Sequence, residues 1–201
     1  MSRRAFISGL VFVCIAFGHA GAARSESVIE RLSVPGPIGF NGDSYSLSWS
    51  SHPKPDYYKQ EYLPAGQTGE RFERMLLIEA VTRGIDVNNA VAARIGTLNK
   101  RKATDPTVNF AVVKNPKTGE VIVDFILGAQ DPKGEDIVEW NAYRYAPLKG
   151  KAGESGVLLF GISRRAYGEK TMDFLLRLKS ARPGEINALA AYALPTVRPS
   201  D

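Results

Sequence analysis

The sequence predicts an α+β domain: a twisted antiparallel β-sheet of about six strands with helices packed on its faces. Two hydrophobic periods lead to this prediction. In some stretches apolar and polar residues alternate, which is typical of half-buried strands, and in others apolar residues recur every three or four positions, which is typical of amphipathic helices. Along the chain the order is two strands, two helices, four strands and a helical end. Because most successive strands are joined by short loops, we expect antiparallel pairing.

The first two strands are predicted from alternating side chains. Residues 44–50 alternate apolar residues with serines, and residues 57–63 place Tyr58 and Tyr62 on one face. The segment between them contains two prolines and turns the chain. The two strands are therefore expected to form a hairpin or ribbon.

Two helices are predicted next. Thr68 is expected to cap a helix over residues 70–83, which begins with acidic residues and ends at Gly84. Asp86 is expected to cap a second helix that runs through Lys102. The basic end of this second helix suits the negative end of the helix dipole.

Four strands follow, where the period changes to two. Residues 107–114 and 120–127 alternate around an Asn-Pro-Lys-Thr-Gly loop, which predicts a hairpin. Further strands are expected over residues 137–145 and 157–165. These four strands should form an antiparallel meander.

The chain is predicted to end in helices. Residues 168–180 place apolar side chains on one side, and a shorter helix is expected to start again at Pro183 and to end near Tyr192. Later prolines are expected to terminate regular structure.

The first residues have the pattern of an export signal. Arg3 and Arg4 give a positive start, residues 9–18 are mostly apolar, and residues 20–22 form a small-residue cleavage pattern. The apolar run is about half of the roughly 20 residues that a membrane-spanning helix needs. The paired arginines resemble the twin-arginine signal, but Ser8 stands where that signal usually has lysine and the apolar run also suits general secretion, so both routes stay open. We therefore expect a periplasmic protein with no stable membrane span.

The expected organisation is a signal peptide over residues 1–22, a poorly ordered lead-in over 23–43, a single domain over 44–194 and a tail over 195–201.

Composition excludes several classes of chemistry. The only cysteine, Cys14, lies in the predicted signal, so the exported chain would be free of disulfides and thiol chemistry. His52 would be its only histidine, so a histidine- or cysteine-rich zinc site is not expected. No cofactor is predicted. Without Arg3 and Arg4 the formal charge falls from +5 to +3, which is too small to indicate nucleic-acid binding.

In its order of elements the chain resembles the PsbP-like fold, that of the extrinsic photosystem subunit and its bacterial relatives. The resemblance covers most of residues 44–192 and includes no motif residue. It implies a binding or accessory role more than catalysis.

Aromatic residues on the predicted strands are the leading candidates for recognition, because Trp and Tyr dominate binding surfaces. We expect an exported binding or accessory protein that contacts a protein partner or an envelope component through the sheet. The candidate binding residues are Tyr58, Tyr62, Trp140, Tyr143 and Tyr145.

Two alternatives stay open. A hydrolase of an envelope polymer could use paired carboxylates such as Glu61, Asp124 and Glu139, since two positioned acids are sufficient for that chemistry. The protein could also carry a small ligand. A concave pocket would favour either alternative, whereas a flat face would favour a protein partner.

Overall fold

The computed structural model describes residues 28–149 and 155–200. In this part of the chain eight strands form one antiparallel sheet, and two helices pack against it. The strands are β1 (Ile38–Phe40), β2 (Asp43–Lys54), β3 (Tyr57–Leu63), β4 (Arg74–Val81), β5 (Asn109–Lys114), β6 (Val121–Gln130), β7 (Asp136–Lys149) and β8 (Ser155–Tyr167). The helices are α1 (Val87–Arg101) and α2 (Lys170–Ala191).

The strand order is β1-β2-β3-β4-β8-β7-β6-β5. Each half is a four-stranded meander, and the halves join where β4 pairs with β8 along its whole length. The α1 helix connects the last strand of the first half to the first strand of the second. The sheet curls into a half-barrel.

The predicted fold class is wrong. The protein is mostly β, with eight strands instead of about six and only two helices among the described residues. The largest error is the helix expected over residues 70–83, which contains strand β4. Residues 75–78 are buried on both faces of the sheet, so β4 is a central strand. A continuous apolar run of this kind lacks the alternation that identifies half-buried strands, and its spacing also fits a helix.

Several local predictions are confirmed. Asp86 caps α1, because its carboxylate accepts a 2.8 Å hydrogen bond from the backbone N–H of Asn89. The hairpin of β5 and β6 forms, with Lys114 opposite Val121. The helical C-terminal end is confirmed, but its division into two helices is wrong, because α2 is one continuous helix with Pro183 inside it.

The expected lead-in and tail pack against each other. Leu32 is fully buried, and β1 lies within the segment expected to be poorly ordered. The backbone N–H of Arg198 donates to the carbonyl of Leu32 at 2.9 Å, and Val197 is buried. Residues 28–43 and 195–200 are thus part of the packed structure. The predicted signal peptide, residues 1–22, lies outside the described residues.

The two faces of the sheet have separate cores. We call the side covered by α1 the α1 face; its core includes Met75, Leu77, Val123, Tyr143 and Leu159, packed with Val87, Val91 and Leu98 of α1. We call the other side the α2 face; its core includes Tyr62, Leu76, Ile78, Trp140 and Phe160, packed with Leu178 and Leu189 of α2. Because strand side chains alternate, a residue's position along its strand determines the face it occupies.

The C-terminal end of α2 is held by an arginine from the sheet. The Nη1 of Arg144 donates to the carbonyls of Leu189 at 3.0 Å and Tyr192 at 2.7 Å. The same guanidinium pairs with Glu120 at 2.9 Å. These bonds satisfy carbonyls that lack partners at a helix end. Within the described residues no helix is long and apolar enough to span a membrane.

Candidate functional site

The five aromatic residues predicted to bind a partner are all buried. Their exposed fractions lie between 0% and 7%. Tyr58, Tyr62 and Trp140 belong to the core of the α2 face, and Tyr143 and Tyr145 belong to that of the α1 face. The structure therefore does not bring the five rings together on one exposed surface, and their role in recognition stays a prediction.

The polar atoms of these rings bond within the protein. Trp140 Nε1 donates to Asp124 Oδ1 at 3.2 Å, and the Tyr62 hydroxyl donates to the carbonyl of Val34 at 2.6 Å. The Tyr145 hydroxyl accepts from Arg94 Nε at 3.2 Å. Burial raises the pKa of Tyr145, although the positive charge of Arg94 opposes this shift. These bonds are those expected of aromatic residues in a core.

The three candidate carboxylates separate by face. Asp124 lies on the α2 face, where Arg182 Nε donates to its Oδ1 at 2.5 Å and Arg182 Nη2 donates to its Oδ2 at 3.0 Å. Glu61 and Glu139 lie on the α1 face and line one pocket. The structure thus brings together two of the three.

This pocket, which we call the polar pocket, has a volume of about 40 Å³. Its rim is half-buried and its floor is buried. The lining residues are Glu61, Gly69, Phe72, Met75, Leu77, Glu139, Asn141, Tyr143, Ser163 and Arg165.

Strand register places the polar side chains of the pocket side by side. Asn141 of β7 lies opposite Ser163 of β8, and Glu139 lies opposite Arg165. On its other edge, β8 pairs Ser163 with Met75 of β4. Residues two positions apart on a strand face the same way, so these pairs form a ladder across the α1 face.

The polar pocket is covered by residues 64–73, which connect β3 to β4 and which we call the covering loop. The hydroxyl of Tyr167 holds Phe72 of this loop by donating to its carbonyl at 2.9 Å and accepting from its N–H at 3.1 Å. The guanidinium of Arg165 lies 4.0 Å from the centre of the Phe72 ring. An ion pair of 2.7 Å between Arg71 and Glu135 attaches the loop to the connection between β6 and β7.

Ion pairs occupy the charged groups of the pocket. Arg165 donates through Nε and Nη2 to Glu139 Oε2, and Lys59 contacts Glu61 Oε1 at 2.7 Å. Burial alone would lower the pKa of Arg165, but the charge of Glu139 and hydrogen bonding with Tyr167 raise it above its ordinary value. Arg165 is therefore a cation at neutral pH.

Two polar atoms at the floor of the pocket have no hydrogen-bond partner in the described structure: Asn141 Oδ1 and Ser163 Oγ. Their residues are 1% and 2% exposed. The orientation of the amide is fixed, because Asn141 Nδ2 donates to Glu139 Oε1 at 2.8 Å and a carboxylate accepts only. An unpaired buried polar group costs about 1–3 kcal/mol, so such groups in a native protein need an explanation.

A glycine gives one wall of the pocket its shape. Gly161 of β8 lies opposite Tyr143 of β7. A Cβ atom at Gly161 would lie 2.7 Å from Tyr143 Cδ1, which is too close for two carbon atoms. The absent side chain therefore lets the Tyr143 ring lie against the sheet at the pocket wall.

The residues predicted for the site do not include Asn141, Ser163, Arg165 or Phe72. A signal for two of them was present, since Asn141 and Ser163 interrupt apolar stretches of β7 and β8. Their convergence could not be predicted while the residues around Phe72 were assigned to a helix. In the described part of the chain, no group of three or more His, Cys, Asp or Glu residues is placed to hold a metal ion.

Comparisons with known proteins give the family and no activity. No curated protein and no solved structure matches the chain significantly. A protein-family model matches residues 32–194, a range that includes every residue lining the polar pocket. The match covers most of the chain and extends from the buried Leu32 to Leu194, beyond the end of α2. The chain belongs to the family that this model describes.

Proposed function

We propose that the protein is an exported binding protein that holds one end of a small polar ligand in the polar pocket. The observation that carries this proposal is the pair of buried, unpartnered atoms at its floor, Asn141 Oδ1 and Ser163 Oγ. The sequence features of residues 1–22 support the export part.

The chemistry of the floor favours a ligand that donates hydrogen bonds. The amide oxygen of Asn141 only accepts, and the Ser163 hydroxyl accepts or donates. A ligand donor would compensate atoms that were already removed from water when the protein folded. Because the desolvation of these atoms already occurs on folding, each hydrogen bond to them is more favourable than one to a solvated group.

The size of the pocket limits what enters it. A volume of about 40 Å³ corresponds to roughly three water-sized positions, since one water occupies about 10–15 Å³ by this measure. Only a terminal group of a ligand reaches the floor. The rest would lie against the half-buried rim of Glu61, Gly69, Glu139 and Arg165.

Ordered water is the competing occupant, because polar cavities of this size commonly hold it. Native mass spectrometry of the protein, purified gently from the periplasm of its own host, separates the two. The proposal predicts a bound small-molecule mass that is reduced or lost in the Asn141→Leu variant. A Ser180→Ala variant, altered on the outer side of α2, should retain that mass and serves as the control. Finding the same bound small-molecule mass, in the same amount, on the protein and on the Asn141→Leu variant would contradict the proposal.

Hydrolysis is a second candidate, favoured by the placement of Glu61 and Glu139 in the same pocket. Each carboxylate already contacts a cation, Lys59 or Arg165, so a hydrolase would have to release one of them on substrate binding. Incubation with cell-wall and glycan polymers tests this function. Turnover that disappears in the Glu61→Gln and Glu139→Gln variants would establish it, and absence of turnover across the panel would favour binding alone.

A further inference from the structure

We infer that the polar pocket is built for a primary ammonium group, so that the ligand is a small organic amine. This inference rests on the proposed function and names the ligand class of the same site.

Three acceptor positions are available in the pocket. Two are the unpartnered atoms Asn141 Oδ1 and Ser163 Oγ. The third is the carboxylate of Glu61, whose Oε1 contacts Lys59 at 2.7 Å; a carboxylate has about four lone-pair sites, so it can accept from a second donor as well. A primary ammonium group has three N–H donors and no acceptor, which matches this set.

Two donor groups of the pocket already serve Glu139. Asn141 Nδ2 donates to it, and Arg165 donates to it through Nε and Nη2. The Ser163 hydroxyl is left as the one donor of the floor without a partner in the described structure. A carboxylate or phosphate ligand would therefore meet one neutral donor at the floor. At the rim it would meet two carboxylates and a guanidinium that is already paired with Glu139. Such an anion would be poorly satisfied and repelled.

The lining residues taken alone carry one more negative than positive charge. Two carboxylates, Glu61 and Glu139, and one guanidinium, Arg165, line the pocket. Lys59 lies outside this lining and offsets the charge of Glu61 from one side. A ligand ammonium would approach Glu61 through the other oxygen, so that two cations would share one carboxylate.

The apolar part of the pocket fits the carbon chain of an amine. Met75 and Leu77 are buried in the floor, and Phe72 and Tyr143 form aromatic walls. Room for roughly three water-sized positions accommodates a –CH₂–NH₃⁺ end and excludes a quaternary ammonium, which is larger and has no N–H donor.

Calorimetric titration with four probes of similar size tests the inference: propylammonium chloride, propan-1-ol, sodium propionate and tetramethylammonium chloride. We expect propylammonium to bind at least about 10-fold more tightly than the other three, since hydrogen bonds to charged groups are roughly twice as strong as neutral ones. The Ser163→Ala variant, which adds no polar atom and no bulk, should weaken propylammonium binding by about 5- to 10-fold. Ser180→Ala, on the exposed side of α2, should leave it unchanged.

The outcomes separate the two proposals. Equal binding of propan-1-ol and propylammonium, both weakened by Ser163→Ala, would overturn the ammonium inference and leave the proposed function standing. Tighter binding of propionate would overturn it in the same way. If none of the probes binds, the ammonium inference fails; if the native protein also carries no small molecule, the proposed function fails with it.

Discussion

Replacing Ser163 by alanine should stabilise the protein while weakening ligand binding. The Ser163 side chain is 2% exposed, and its hydroxyl has no partner in the described structure. Removing an unpaired buried hydroxyl recovers about 1–3 kcal/mol of desolvation cost. The space left by one oxygen atom joins an existing pocket and offsets part of that gain, so we expect a net increase of about 1 kcal/mol in the free energy of unfolding.

Urea unfolding measures this change. With a slope of about 2 kcal/mol/M, a gain of about 1 kcal/mol raises the urea midpoint by roughly 0.5 M at constant slope. Tyr62→Phe is the matched control, because it removes a buried hydroxyl that does have partners, Val34 at 2.6 Å and Gln60 at 2.5 Å. That variant should lose about 1–2 kcal/mol. If Ser163→Ala lost as much as Tyr62→Phe, the Ser163 hydroxyl would be paired in the folded protein and the argument for the pocket would be refuted.

Three further predictions concern Gly161, Arg144 and Glu30. Gly161→Ala should displace the Tyr143 ring, lower the free energy of unfolding by about 1–3 kcal/mol and weaken ligand binding, because the new Cβ would lie 2.7 Å from Tyr143 Cδ1. Unchanged urea and titration curves would contradict this clash. Arg144→Met should leave Glu120 and the end of α2 without their partner and cost about 3–5 kcal/mol, with faster hydrogen exchange in α2; a change below about 1 kcal/mol would mean that the pair contributes little. Burial raises the pKa of Glu30, but the backbone N–H groups that donate to its carboxylate lower the pKa by more, so that it lies below its ordinary value of 4.5. The stabilisation by Glu30 is therefore complete above that pH and is lost as the pH falls below it, so Glu30→Gln should flatten the acid side of the stability curve; an unaltered curve would oppose this.

Strands with one polar face could be predicted from the sequence, and the central strand could not. Strand β2 alternates Tyr45, Leu47 and Trp49 with serines, so its period is visible, and the hairpin of β5 and β6 is indicated by its Asn-Pro-Lys-Thr-Gly loop. Strand β4 pairs with β3 on one edge and β8 on the other, and its residues 75–78 are buried on both faces. Its continuous apolar run carries no period of two, and three- and four-residue spacings inside it fit a helix equally well.

The pocket could be predicted only if β4 was recognised as a strand. The pocket floor combines Asn141 and Ser163, whose pairing follows from the β7–β8 register, with Met75 of β4. A helix over residues 70–83 separates these residues, so the pocket could not be anticipated even though Glu61 and Glu139 were candidates. The aromatic prediction had a different weakness: residue type does not determine burial when both faces of the sheet are covered, as Trp140 and Tyr143 illustrate.

A high-resolution crystal structure of the protein grown with propylammonium chloride tests the central claim most directly. The account predicts the ligand nitrogen within hydrogen-bond distance of Asn141 Oδ1 and Ser163 Oγ, with the carbon chain leading towards the rim formed by Glu61 and Gly69. Ordered water alone at the floor of the polar pocket, at an amine concentration that saturates any binding seen by calorimetry, would contradict it.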